Sequence, residues 1–145
     1  MESATSIRFT DLRTSNEFWA GVRYGHLGIG FTVVNNWKQV GPAERKEIEI
    51  IMKPEDARAV LKALGTAIEI KPPVMSEVAA ITFADADTGE ATSIIVRHDA
   101  ASVDFILCNE DDGEVRIAMK RKDARSLLGA MKIAVERGSV GKLQR

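Results

Sequence analysis

Few residue types in this chain could carry chemistry: the 145 residues include two tryptophans, one tyrosine, two histidines and one cysteine. If Phe18–Tyr24 forms a strand, alternation places Trp19 and Arg23 on one side, with Gly21 between them. A flat ring, a guanidinium and a gap are what base stacking and phosphate contact require. The segment therefore predicts a surface that binds single-stranded nucleic acid by stacking a base on Trp19.

Other aromatic and basic residues of the first half could extend this surface. Tyr24 and Trp37 are secondary candidates for stacking, and basic side chains nearby would meet phosphates. The alternative for the tryptophans is packing in the core or in a subunit interface, and for Arg45 and Lys46 it is an ordinary solvated loop. The full set of expected nucleic-acid contacts is Trp19, Arg23, Tyr24, Trp37, Lys38, Arg45 and Lys46.

No catalytic constellation can be recognised in the sequence. Residues 25–30 are rich in glycine but lie between strands and not before a helix, and no serine stands in a nucleophile elbow. We therefore predict a non-enzymatic protein with no catalytic residue, no metal and no cofactor. The remaining enzymatic alternative is a metal or small-molecule site centred on His98, with Asp85, Asp87 and Asp104 near it.

The elements that must position these residues are repeated in the chain. Residues 47–69 align with residues 114–136 without a gap, and eleven of the 23 pairs are identical. In each copy apolar residues first alternate, as in a half-buried strand, and then recur with helical spacing. Each copy is therefore a strand that leads into an amphipathic helix.

Upstream of each strand–helix pair there is room for three more strands. The candidates are residues 7–12, 18–24 and 29–35 in the first copy and 78–84, 92–97 and 103–108 in the second. The first helix must end before Pro72–Pro73, and Gly138 is expected to end the second.

The order ββββα–ββββα predicts an α+β fold with two antiparallel four-stranded sheets and the helices packed together. We expect one domain over residues 1–145, with pseudo-repeats at 6–70 and 77–137.

Two tandem ββββα units resemble the Whirly/PUR-type fold of single-stranded nucleic-acid-binding proteins. The resemblance is carried by residues 18–35, 46–69 and 114–136. It implies two sheets spreading from a helical core, with single-stranded DNA or RNA received on a sheet face. The chain departs from the group in two ways: it lacks the lysine-glycine-lysine signature of plant Whirly proteins, and residues 77–114 are strongly acidic.

The overall charge sets a limit on this interpretation. With 20 basic and 21 acidic residues the net charge is -1, whereas nucleic-acid-binding domains usually carry a basic excess. This balance favours the alternative of an oligomeric structural or protein-interaction module, and the amphipathic helices predict a homo-oligomer in either case. The sequence has no signal peptide and no bilayer-spanning apolar stretch, so we expect a cytoplasmic protein without membrane contact.

Overall fold

The computed structural model describes residues 2–35 and 46–143 and shows two ββββα halves in succession. The first half consists of β1 (Glu2–Thr10), β2 (Glu17–Gly25), β3 (Gly28–Val34), β4 (Glu47–Met52) and α1 (Pro54–Glu69). The second consists of β5 (Ser76–Ala84), β6 (Ala91–His98), β7 (Val103–Asn109), β8 (Gly113–Met119) and α2 (Arg121–Leu143). This order confirms the α+β class and the ββββα arrangement predicted from the sequence.

Each half forms its own antiparallel sheet, with the strands in chain order: β1-β2-β3-β4 in sheet A and β5-β6-β7-β8 in sheet B. The strand registers are equivalent as well. Arg23 lies opposite Gly30 in sheet A, and Arg97 lies opposite Asp104 in sheet B. An irregularity interrupts the first strand pair at the same place in both sheets, Ser3/Thr5 and Glu77/Ala79. The duplication therefore extends upstream of the segment in which the sequence reveals it.

The two helices exchange partners between the halves. α1 contacts α2 and lies against β5 and β6 of sheet B, while α2 lies against β1 and β2 of sheet A. The buried stripe of α1, with Val60 and Leu64 at its centre, joins a single core cluster that includes residues of both sheets. Within the described residues, neither helix has a run long and apolar enough to cross a membrane. Each half thus depends on the other to complete its hydrophobic core.

Two equivalent phenylalanines mark where the halves meet. Phe31 on β3 and Phe105 on β7 are both almost completely buried. Their ring centroids lie 6.2 Å apart with the planes tilted by 56°, a geometry that aromatic pairs favour.

A turn from the first half caps the outer edge of β8. Asp11, just after β1, is fully buried, and its Oδ1 accepts a hydrogen bond from the Ala118 amide at 2.7 Å. The Leu12 amide donates to the Ala118 carbonyl at 2.9 Å. Oδ2 of Asp11 accepts bonds from the amide and the hydroxyl of Thr14, so the carboxylate shapes its own turn as well.

The second half repeats this arrangement on β4. Oδ2 of Asp85, just after β5, accepts a hydrogen bond from the Ile51 amide at 2.9 Å, and the Ala86 amide donates to the Ile51 carbonyl at 2.8 Å. Oδ1 of Asp85 accepts bonds from the amides of Asp87 and Thr88. The sheets are therefore hydrogen-bonded to each other's turns at both of these edges.

Two predicted boundaries are wrong. α2 does not end at Gly138 but continues to Leu143. Gly138 does not adopt a positive φ; it lies inside the helix, where an added Cβ would be 3.7 Å from Cδ1 of Ile29. β1 runs from Glu2 to Thr10 and not over residues 7–12, because its pairing with β2 continues through a polar segment as far as Glu2 opposite Tyr24.

Candidate nucleic-acid interface

Alternation along β2 separates a core face from an outer face. Phe18, Ala20 and Val22 point towards the helices and are buried in the core. Trp19 and Arg23 occupy the intervening positions and keep part of their surface accessible. The structure thus places Trp19 and Arg23 together on the outer face of sheet A, as the sequence predicts.

The indole of Trp19 is seated on a glycine. A Cβ added to Gly21 would lie 2.5 Å from Cη2 and 3.0 Å from Cζ2 of Trp19, so the six-membered ring lies directly over this backbone. Any larger residue at position 21 would have to displace the ring. Gly21 therefore determines where the half-buried indole rests.

Basic side chains flank the indole on both sides. Arg8 on β1 is exposed and pairs directly with Trp19 across the strands. Nη2 of Arg23 lies 3.2 Å from Oε1 of Glu49 on β4, and these two side chains are 42% and 46% exposed. An ion pair this exposed contributes about 0–1 kcal/mol to stability. A phosphate could therefore compete with Glu49 for the Arg23 guanidinium at little cost.

This face is accessible along both of its edges and closed in the middle. On the β4 edge, the outward-pointing Glu47 and Glu49 are exposed. Thr32 and Val34 also point outward from β3, opposite Gly21 and Trp19, but they are only 6% and 3% exposed. Because the β4 edge carries two carboxylates, a strand of nucleic acid would meet sheet A along β1 and β2.

The equivalent face of sheet B has different chemistry. Ser93 and Ile95 occupy the positions of Trp19 and Gly21. Arg97, the equivalent of Arg23, lies 3.3 Å from Asp104 in an ion pair whose side chains are 28% and 12% exposed. Within the described part of the chain, the buried Nε of Arg97 has no hydrogen-bond partner. Sheet B thus has neither a ring nor an exposed guanidinium at these positions.

Tyr24 lies apart from this face. It is on the helix side of β2, where its hydroxyl donates to Oε2 of Glu2 at 2.7 Å and accepts from Nη1 of Arg137 at 3.2 Å. The Arg137 guanidinium also stacks over the tyrosine ring, 5.9 Å from its centroid. The structure therefore does not bring Tyr24 to Trp19.

The remaining predicted contacts lie at or beyond the end of β3. Nζ of Lys46 donates to the Glu114 carbonyl of β8 at 2.7 Å, and the Lys46 amide donates to Oδ1 of Asn35. Lys46 therefore links the two sheets. Trp37, Lys38 and Arg45 lie outside the described residues.

The residues of the alternative site around His98 are dispersed. His98 is buried, and its Nδ1 lies 3.1 Å from the Ala67 carbonyl of α1. The carboxylate of Asp85 caps β4, and that of Asp104 faces Arg97. Within residues 2–35 and 46–143, no three histidine, cysteine or acidic side chains come together as metal ligands.

Sequence reasoning missed two neighbours of the candidate interface, Arg8 and Glu49. Both depend on strand register, because Arg8 pairs with Trp19 across β1–β2 and Glu49 reaches Arg23 diagonally across β3. The polar positions that alternate with Ile7 and Phe9 indicate that Arg8 points outward. They do not indicate which residue lies beside it.

Comparison with known proteins does not assign the chain to a family. No protein-family model matches the chain, and no curated protein matches its sequence. The function is therefore inferred from the geometry of the two sheets.

Proposed function

We propose that this is a non-enzymatic protein that binds single-stranded DNA or RNA on the outer face of sheet A. The observation that carries the proposal is the position of the half-buried Trp19 ring over Gly21, beside the exposed Arg23. The equivalent positions of sheet B carry Ser93 and an arginine whose side chain is 28% exposed, against 42% for Arg23. The tandem ββββα architecture, which resembles the Whirly/PUR-type fold, supports the same function.

In this mechanism a base stacks on the accessible part of the Trp19 ring, and the adjoining phosphates meet Arg23. Stacking is tolerant of sequence because every base has a π-face. The site has few cations and the molecule has a net charge of -1, so the electrostatic share of affinity is small. We therefore propose binding that is moderate in strength and weakly sequence-selective.

A fluorescence titration tests this function. In the Trp37→Phe background, Trp19 is the remaining tryptophan, and a short oligothymidylate should quench its emission on binding. With two phosphates neutralised, log affinity should fall against log salt with a slope of about -1 to -2, since single strands release about 0.7 counterions per contact. No quenching and no binding at about 50 mM salt would contradict the proposed function.

Removing the acidic neighbour of Arg23 should strengthen binding. Glu49→Gln keeps the shape of the side chain but removes the charge that pairs with the guanidinium at 3.2 Å. We expect about two- to five-fold higher affinity at low salt, the effect expected from freeing an exposed ion pair. Titration of the variant with the same oligothymidylate measures the change.

Glu114→Gln is the matched control for this variant. It changes the net charge equally and removes an exposed partner of Arg116, 3.6 Å away on sheet B. An equal gain in both variants would show that overall charge is responsible, and would contradict a specific role of Arg23.

The second candidate function is that of an oligomeric structural or protein-interaction module. The observation that favours it is an exposed apolar segment between α1 and β5, where Ile70 is 55% and Val74 is 72% exposed. This segment leads into β5, an edge strand of sheet B. Sedimentation as an oligomer, together with unchanged Trp19 emission in the titration, would favour this second function.

A further inference from the structure

A cleft opens at one end of sheet A, and Trp19 lies at the other end. The cleft lies between the β2–β3 turn, the start of α1 and the C-terminal part of α2, and it has a volume of about 530 Å³. Tyr24, His26, Lys53, Pro54 and Arg137 are among the residues that line it. This volume lies in the range of small-molecule sites in proteins.

The equivalent place in the second half is filled by the chain itself. Arg121 starts α2 where Pro54 starts α1, and its guanidinium occupies the space between the β6–β7 turn and the end of α1. Its Nε donates to the Ile68 carbonyl at 3.1 Å. Nη1 donates to the backbone carbonyl of Ala100 at 3.1 Å, and Nη2 donates to the backbone carbonyl of Asp99 at 2.6 Å. The fold therefore forms a cleft at the start of each helix, and the second half closes its own with an arginine.

The walls of the two clefts differ in charge. Where the second cleft has Ile70, the first has Arg137, and where the second has Ala100, the first has His26. Lys53 is the second cation of the first cleft, and its equivalent in the second half is Lys120. The second cleft surrounds a cation with carbonyl groups, and the first presents cationic side chains to its interior. The first cleft is therefore suited to an anion.

Arg137 is held in position before any ligand binds. Its Nη1 donates to the Tyr24 hydroxyl at 3.2 Å, and the guanidinium lies over the tyrosine ring. The hydrogen bond to Tyr24 raises the pKa of Arg137 further, with Glu2 acting in the same direction, so the group stays charged at every physiological pH. Glu55, exposed beside Lys53, is the acidic group that lines the cleft.

We infer that this cleft is a second ligand site, which binds a phosphate monoester attached to a flat apolar body, as in a nucleoside monophosphate. Arginine and lysine are the usual protein partners of phosphate. A bare phosphate would leave most of the 530 Å³ unfilled, and the apolar walls formed by Leu27, Ile29 and Pro54 suit a base or a similar ring. The site does not use Trp19, so it is independent of the stacking surface.

Calorimetric titration with AMP and with adenosine tests the inference. At pH of about 7.5 the phosphate of AMP is a dianion, and AMP should bind at least about tenfold more tightly than adenosine. Arg137→Gln and Lys53→Gln should each weaken AMP binding by about tenfold, the effect of one lost charge-assisted contact. Lys120→Gln, the equivalent of Lys53 in the second half, is the control and should bind AMP like the wild-type protein.

Three outcomes would overturn the inference: equal binding of AMP and adenosine, no binding of AMP, or unchanged AMP affinity in both cleft variants, provided that thermal unfolding shows these variants folded. Trp19→Ala should leave AMP binding intact, so failure of the stacking surface and failure of the cleft are distinguishable. Oligonucleotides with and without a 5′-phosphate then identify the source of the ligand. Tighter binding of the phosphorylated strand, lost in Arg137→Gln, indicates a strand end, and equal binding of both strands indicates a free nucleotide.

Discussion

Replacing Trp19 with alanine should weaken binding of a single-stranded oligonucleotide by about 1–3 kcal/mol, roughly five- to 150-fold, because one stacked base loses its platform. Trp19→Phe should retain most of the affinity, since a smaller ring still offers a π-face. Anisotropy of a labelled oligonucleotide measures both variants without relying on tryptophan emission.

Two further variants make this result specific to the outer face of sheet A. Ser93→Ala alters the equivalent position of sheet B and should leave affinity unchanged. Gly21→Ala keeps the indole but places a Cβ 2.5 Å from the present position of Cη2 of Trp19, so it should displace the ring and weaken binding. Equal affinity of Trp19→Ala and Ser93→Ala would contradict the stacking site.

The repeated fold could be predicted because both copies of the β4–α1 segment keep the same two periods. Glu49 and Arg116 each separate two apolar residues of the strand, and Leu61 and Leu128 follow on helical stripes. What each helix packs against could not be predicted in the same way. An apolar stripe shows that a helix is covered, and the exchange of α1 and α2 between the sheets depends on tertiary packing.

The candidate site was likewise predictable only in part. Alternation in β2 places Trp19 and Arg23 on one face, and this was sufficient to predict their juxtaposition. The partner of Arg23 and the surroundings of Tyr24 were not predictable, since Glu49 is reached across β3 and Arg137 lies 113 residues further along the chain.

The cleft could not be predicted from the sequence. The exchange of proline for arginine between positions 54 and 121 is visible in the aligned repeats, but the sequence does not show that this side chain fills a space. Arg121 fills this space because the fold brings carbonyl groups of α1 and of the β6–β7 turn within hydrogen-bonding distance of its guanidinium.

Replacing Asp11 with alanine should destabilise the whole molecule by about 2–4 kcal/mol. The carboxylate is fully buried and accepts bonds from the Ala118 amide and from the amide and hydroxyl of Thr14. Truncation leaves the buried Ala118 amide without its acceptor, at about 1–3 kcal/mol, and the loss of the two part-buried bonds from Thr14 adds to this. Asp11→Asn keeps an acceptor for Ala118 but offers only one carbonyl oxygen, so its loss should be about half as large. Urea denaturation measures these free energies.

Asp85→Ala should give a loss of similar size, because Asp85 performs the same task for Ile51 on β4. Asp87→Ala is the control, since this aspartate lies in the same turn with its side chain exposed. Asp11 and Asp85 each belong to one half and cap a strand edge of the other. The helices also cross between the halves, so the loss should shift one cooperative transition and leave its urea dependence unchanged. Unfolding in two steps, or a loss no larger than that of Asp87→Ala, would show instead that each half is stable without the turns of the other.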